Sequence, residues 1–160
     1  QALGAGDPLS ARRAGWEATR VGLLIAVTLG VFFVFFRVPI AYVFTDDPQV
    51  VACLDPFILL LGIALPCLVM HFTLAGALRG AGDTMSPLWS AAFGNWVFRV
   101  PLGYLFAQVW QLDLFWVWAI MLIDHTSRAI WLFWVFRYGS WDKRVGASFA
   151  PAPRTPRMAA

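Results

Sequence analysis

The sequence predicts an all-α, polytopic membrane bundle of four transmembrane helices, and three observations carry that prediction. The 160 residues are 60% hydrophobic and 16% aromatic but only 13% charged, where a soluble domain carries about a quarter charged residues. A mean hydropathy of +0.69 means more apolar surface than a chain of this length can enclose in water. Four runs, at 21–44, 50–78, 85–111 and 114–138, reach the roughly 20 apolar residues needed to cross a bilayer.

Local chemistry marks the ends of these spans. Residues 1–20 read as a cytoplasmic loop followed by the amphipathic lead-in LSARRAGWEATR. Asp7-Pro8, Asp47-Pro48 and Asp55-Pro56 each offer an N-cap acid with proline at the first helical position, where its missing N–H costs nothing. Gly80 and Gly82 follow the last apolar turn of the second span, as a left-handed C-cap requires, and Gly139 is expected to play the same part after the fourth. Gly80, Gly82 and Asp83 form a predicted tight cytoplasmic turn, with the small-xxx-small pair Gly76 and Gly80 letting two helices approach. Beyond Gly139 the basic, Pro-rich tail 139–160 is too polar to fold alone and is expected to be disordered from about Gly146.

Charge sets the orientation. Arg12, Arg13, Arg20, Arg79, Arg137, Lys143, Arg144, Arg154 and Arg157 fall on one side of the spans, whereas the other has Arg37 with Asp46, Asp47, Asp55 and Asp113. By the positive-inside rule both termini and the 79–84 loop are cytoplasmic. Trp16, Trp89, Trp110, Trp116 and Trp141 lie near span ends, where an interfacial aromatic belt would place them.

Several function classes drop out. The net charge of +3 does not form a nucleic-acid face, because the basic residues cluster at helix ends and in the tail. Cys53 and Cys67 sit on one predicted helix, roughly 21 Å apart at 1.5 Å per residue, beyond disulfide reach; both read as buried apolar fillers. His71 and His125 are on different spans without clustered partners, so no metal site is predicted. His71 reads instead as a satisfied interhelical group. RGAGDT lacks the G-K-[ST] ending of a phosphate loop, and no enzyme motif is present.

Three ionisable residues nevertheless lie inside the spans. The turn between the third and fourth spans centres near Leu112, which puts Arg99 and Asp124 at one depth, roughly 18–20 Å from it. Arg128 is one turn deeper on the Asp124 face. A lone charge at mid-bilayer costs several kcal/mol, so intramembrane charges pair or face water. The expected arrangement is Asp124 held between Arg99 and Arg128, with Asn95 adding a hydrogen bond and His125 pointing away. Pinning the helix hairpin outweighs ion coupling as its role, because a carboxylate with two cationic neighbours is hard to protonate. Pro66 and Pro101 mark helix kinks. Phe93, Trp96 and Phe98 are able to stack on a cation, but packing or lipid contact is the plainer role for each.

The motifs QALGAGDPLSARRAGWEATR, FTDDPQVV, ALRGAGDTMSPL and GNWVFRVPLGYL resemble the carboxyl-terminal half of a multidrug and toxic compound extrusion (MATE) transporter, from Gln1 to about Trp141. The resemblance implies a fragment, the last four helices of a twelve-helix, two-lobe transporter whose N-terminal lobe is missing from these 160 residues. It implies export of cationic or amphipathic small molecules in exchange for Na+ or H+, without a cofactor, across what is expected to be a bacterial cytoplasmic membrane. One departure stands out. Some branches place a cation-binding acid in the helix equivalent to 56–78, where this chain has none, so the coupling ion stays open and Asp124 is the only deep acid. Two alternatives also stay open: a flippase of the same superfamily for lipid-linked precursors, whose interior should be cationic, and a non-transporting four-helix membrane subunit.

Overall fold

The computed structural model describes residues 7–139 and Trp141. The opening motif before Asp7 and the tail from residue 142 lie outside the described residues, and the tail's expected disorder with them. Among the described residues the elements are α1 (Pro8–Phe35), α2 (Arg37–Phe44), α3 (Pro48–Gly80), α4 (Met85–Phe93), a π-helical segment π1 (Gly94–Arg99), α5 (Val100–Tyr104), a second π-helical segment π2 (Leu105–Val109) and α6 (Leu114–Tyr138). Helices α1, α3 and α6 are individually long and apolar enough to cross a membrane. The pieces from α4 to π2 follow one another without a gap and make the third run.

The first span begins earlier than the sequence implies. Asp7 caps α1 by accepting from the Ser10 amide at 3.0 Å and the Ser10 hydroxyl at 2.6 Å, so the lead-in is part of the spanning helix. That helix breaks at Phe36 (φ −102°, ψ 17°), where Pro39 cannot tolerate a helical carbonyl four residues before it. The carbonyl of Val34, left free by the break, accepts from Arg37 Nη1 at 3.2 Å. The Asp47 side chain caps α3 through the Gln49 amide at 2.8 Å. Asp55-Pro56, expected as a third cap, lies inside α3; Asp55 instead accepts from Arg37 Nε of α2 at 2.7 Å.

Only one of the three glycines expected to close helices takes the left-handed conformation. Gly82 has φ +82°, and the Gly82 amide to Arg79 carbonyl and Asp83 amide to Leu78 carbonyl bonds, both 2.9 Å, make a Schellman motif. Gly80 is still helical. Gly139 is extended (φ −68°, ψ 154°), and a Cβ there would run into the Val135 carbonyl oxygen. Asp83 then repeats the Asp7 cap, accepting from the Ser86 amide at 3.0 Å and hydroxyl at 2.8 Å. The repeated GAGD is therefore a repeated GAGD-x-x-S cap.

Helix α3 packs between α1 and α6, and the α4–π2 run packs on α6. The close approach expected at Gly76 and Gly80 does not occur, since neither has an atom within 4 Å of an added Cβ. The close crossing is elsewhere: a Cβ on Gly30 of α1 would sit 2.5 Å from the Gly62 carbonyl oxygen of α3. One apolar cluster, Leu74, Ala75, Leu78, Ala81, Leu132, Phe136 and Trp141, fills the end near Arg79. A smaller one, Ala41, Val51 and Ile58, fills the other end. Trp141 is buried against Phe136, with ring centroids 4.9 Å apart, rather than interfacial. Arg12 of α1 donates to the Arg137 and Gly139 carbonyls at 3.3 and 3.4 Å, satisfying acceptors that a helix end leaves open.

Candidate functional site: a buried charged layer between two apolar ends

Between the two apolar clusters the buried surface of α6 turns polar. Asp124 is fully buried and Arg128 nearly so. Arg128 Nε donates to Asp124 Oδ1 at 2.6 Å, and Nη2 to Oδ2 at 2.9 Å. This is the planar two-bond pairing that an i,i+4 spacing on one helix permits. Arg128 Nη2 also donates to Asn95 Oδ1 of π1 at 2.7 Å, tying α6 to the third run. Arg99 lies at the edge instead of flanking the carboxylate. Its Nε is 4.0 Å from Asp124 Oδ2 and its side chain is 52% exposed, so the anion is neutralised mainly by Arg128.

Gly94 makes this arrangement possible. A Cβ there would collide with Asp124 Oδ1 and Arg128 Nε, so the third run approaches the ion pair with bare backbone. Sequence reasoning missed this glycine, although it directly precedes Asn95. The π1 pitch starts at the same residue and ends just before Pro101. Over π1 the Val100 amide bonds the Asn95 carbonyl, five residues back, and that wider turn relieves the clash of the Pro101 ring with the preceding turn. Pro66 lies inside α3, one residue before Cys67, whose Sγ accepts from Thr126 Oγ1 of α6 at 3.5 Å. Cys53, expected to be buried, is exposed, and Cys67 is partly buried. Gly80, Gly82 and Asp83 lie in the α3–α4 turn, remote in the chain from this layer.

The histidines depart most from expectation. His71 of α3 and His125 of α6 stack across the interface, with ring centroids 6.1 Å apart and planes at 24°. His71 is buried, but it is not satisfied. Nδ1 of both rings is enclosed by protein and lacks a hydrogen-bond partner, a condition that costs about 1–3 kcal/mol per group. The sequence signal was the pairing of the two histidines in depth across α3 and α6. Among the described residues no group of three or more His, Cys, Asp or Glu is arranged to hold a metal ion.

Phe93 stacks on Trp131 at 6.0 Å and meets Phe98 edge-on at 5.9 Å, whereas Trp96 is 73% exposed. The first two are engaged in packing and the third faces outward.

Comparison with known proteins places this architecture. The chain is 31% identical over 133 residues to a probable multidrug resistance protein NorM of Thermotoga maritima, covering 83% of this chain and 28% of that protein. It is 33% identical over 139 residues to the multidrug resistance protein NorM of Burkholderia vietnamiensis, covering 84% and 30%. Protein DETOXIFICATION 39 of Arabidopsis thaliana matches at 27% over 143 residues, covering 89% and 28%. The chain thus spans less than a third of the length of these relatives. The fold matches the crystal structure of the eukaryotic MATE transporter AtDTX14 with a TM-score of 0.83 at 20% identity, over 93% of this chain and 34% of that one. The MatE family model matches residues 1–105, which takes in the Asp7 and Asp83 caps, the Gly30–Gly62 crossing and all of π1: the chain belongs to the MatE family.

Proposed function

We propose that this chain forms part of a secondary active multidrug exporter that expels cationic or amphipathic compounds in exchange for Na+ or H+. The observation that carries this reading is sequence shared over more than four-fifths of the chain with bacterial proteins described as multidrug resistance proteins. The partner in transport is an N-terminal lobe, which the share of the relatives covered leaves room for. The membrane is a bacterial cytoplasmic membrane, and the end bearing Arg12, Arg79 and Arg137 faces the cytoplasm, by the excess of basic residues there. The chain is a transporter segment and not an enzyme.

In this reading the bundle moves largely as one body during alternating access. The Asp124–Arg128–Asn95 cluster keeps the third run fixed to α6 while the substrate-facing surfaces exchange. Pro66 and the π1–Pro101 junction are the places where helices can bend without breaking additional backbone bonds. The flippase alternative needs a markedly cationic interior for a phosphate; Arg128 is engaged by Asp124 and Asn95, which leaves the half-exposed Arg99 as the one of the two intramembrane arginines still open to an anion.

The test is expression of the native polypeptide, at its full natural length, in drug-sensitive bacteria, with efflux of a fluorescent organic cation followed under imposed Na+ or pH gradients. Gradient-dependent efflux supports the proposal. Equal dye retention with and without the protein, despite its presence in the membrane, contradicts it.

A further inference from the structure

We propose, on the reading of these residues as part of a longer transporter, that Arg99 is a docking point for one carboxylate. Its carrier is a membrane-spanning helix of the same polypeptide outside residues 1–160. The charge of the buried layer points there. Arg99 and Arg128 bring two guanidinium groups and Asp124 one carboxylate, which leaves one positive charge unbalanced. Asp124 is committed to the other arginine, because Arg128 occupies both of its oxygens at 2.6 and 2.9 Å. Arg99 Nε stops 4.0 Å from Oδ2, outside hydrogen-bond reach. With the side chain half exposed, its planar fork of N–H donors is turned outward from the bundle.

Lipid, a water-filled cleft and a neighbouring helix are the surfaces such an arginine can meet inside a membrane, and its surroundings separate them. Asp124 stands near the middle of α6, so Arg99 beside it is deep in the membrane, where a charge facing hydrocarbon costs several kcal/mol. A water-filled cleft asks for polar walls, yet Trp96, Val97 and Val100, next to Arg99 on the third run, are exposed and apolar. An open guanidinium there would also repel the cationic cargo. A neighbouring helix meets both conditions, with apolar side chains against those three residues and one acid against Arg99.

The backbone leaves room for such a helix. Gly103 follows Arg99 by one turn and has no atom within 4 Å of an added Cβ, so the surface beside the arginine is bare enough for close helix approach. A carboxylate arriving there accepts two parallel N–H bonds from the guanidinium and balances the layer. The two arginines then have separate tasks: Arg128 holds the third run to α6, and Arg99 holds this bundle to its neighbour. With its charge met, Arg99 neither repels a cation nor attracts a phosphate.

The experiment places the photo-cross-linker p-benzoylphenylalanine at position 96, about one turn from Arg99, in the native polypeptide at its full natural length. The membranes are irradiated and the adducts identified by mass spectrometry. The expected adduct joins position 96 to a membrane-spanning peptide outside residues 1–160 that carries an Asp or Glu. Adducts with lipid alone, with residues 1–160 alone, or with a peptide lacking an acid overturn the proposal. Arg99 is intact in this step, so the result does not depend on a charge variant folding. The acid so found is then exchanged with the arginine. Arg99→Glu is expected to lower the folded protein in the membrane about tenfold or more, and arginine in place of the acid in the same molecule to restore at least about half of it. Wild-type abundance of Arg99→Glu, or no recovery in the exchanged pair, contradicts the contact. A cross-link and recovery without drug efflux by the wild-type protein support the contact and overturn only the exporter reading.

Discussion

Gly94 faces the Asp124 carboxylate across the interface between the third run and α6 with no space for a side chain between them. A Cβ would meet Asp124 Oδ1 and Arg128 Nε, and would stand 3.0 Å from Arg128 Cζ. Glycine inside a helix ordinarily costs about 0.5–1 kcal/mol relative to alanine, so Gly94→Ala would be stabilising if local propensity decided. The ion pair reverses the sign. Gly94→Ala is expected to destabilise by about 3 kcal/mol or more, because the methyl group must displace a buried, paired charge. A thermal-unfolding series in detergent checks it.

The α1–α3 crossing gives a second contrast. Gly30→Ala pushes a methyl group against the Gly62 carbonyl, backbone that cannot move aside, and is expected to cost about 1–3 kcal/mol, as overpacking does. Gly76→Ala meets no atom within 4 Å and is expected to be neutral or to stabilise by up to about 1 kcal/mol. Equal effects of the two substitutions on unfolding would contradict the crossing.

The first turn of α1 carries a pH dependence. The Ser10 hydroxyl, and then the Ser10 amide, hold the Asp7 carboxyl below its usual value near 3.8. A depressed acid stabilises the folded form above its unfolded pKa and loses that contribution as pH falls through the lower folded value. Protection of the Ser10 amide, measured relative to its intrinsic exchange rate at each pH, is therefore expected to fall on acidification below about pH 4, and Asp7→Asn should flatten that profile without moving the Ser86 amide, which Asp83 caps.

How much of this was legible in the sequence depends on the length scale involved. Spans follow from hydropathy, because the bilayer demands about 20 apolar residues in a row. Asp7 and Asp47 were readable as caps because an acid before a proline acts locally. Asp55 was misread by the same rule, since its partner Arg37 is 18 residues away and only the fold brings them together. Pro39 was the overlooked signal for the break at Phe36. The depth argument brought Arg99 near Asp124, but rotation about each helix decides contact. That rotation is set by packing, here by Gly94 and the π1 pitch, and it favours Arg128 and Asn95. The same limit hid the His71–His125 stack, although the two residues share a depth.

The measurement that tests the account most directly compares Asp124→Asn with the double replacement of Asp124 and Arg128 by leucine, in unfolding free energy and membrane abundance. Removing one partner of a buried ion pair leaves an uncompensated charge and is expected to cost about 3–5 kcal/mol, whereas replacing both with apolar residues is often near neutral. The structural pin predicts that the double variant is clearly more stable than Asp124→Asn. A double variant as unstable as the single, or an Asp124→Asn protein as stable as wild type, would contradict it.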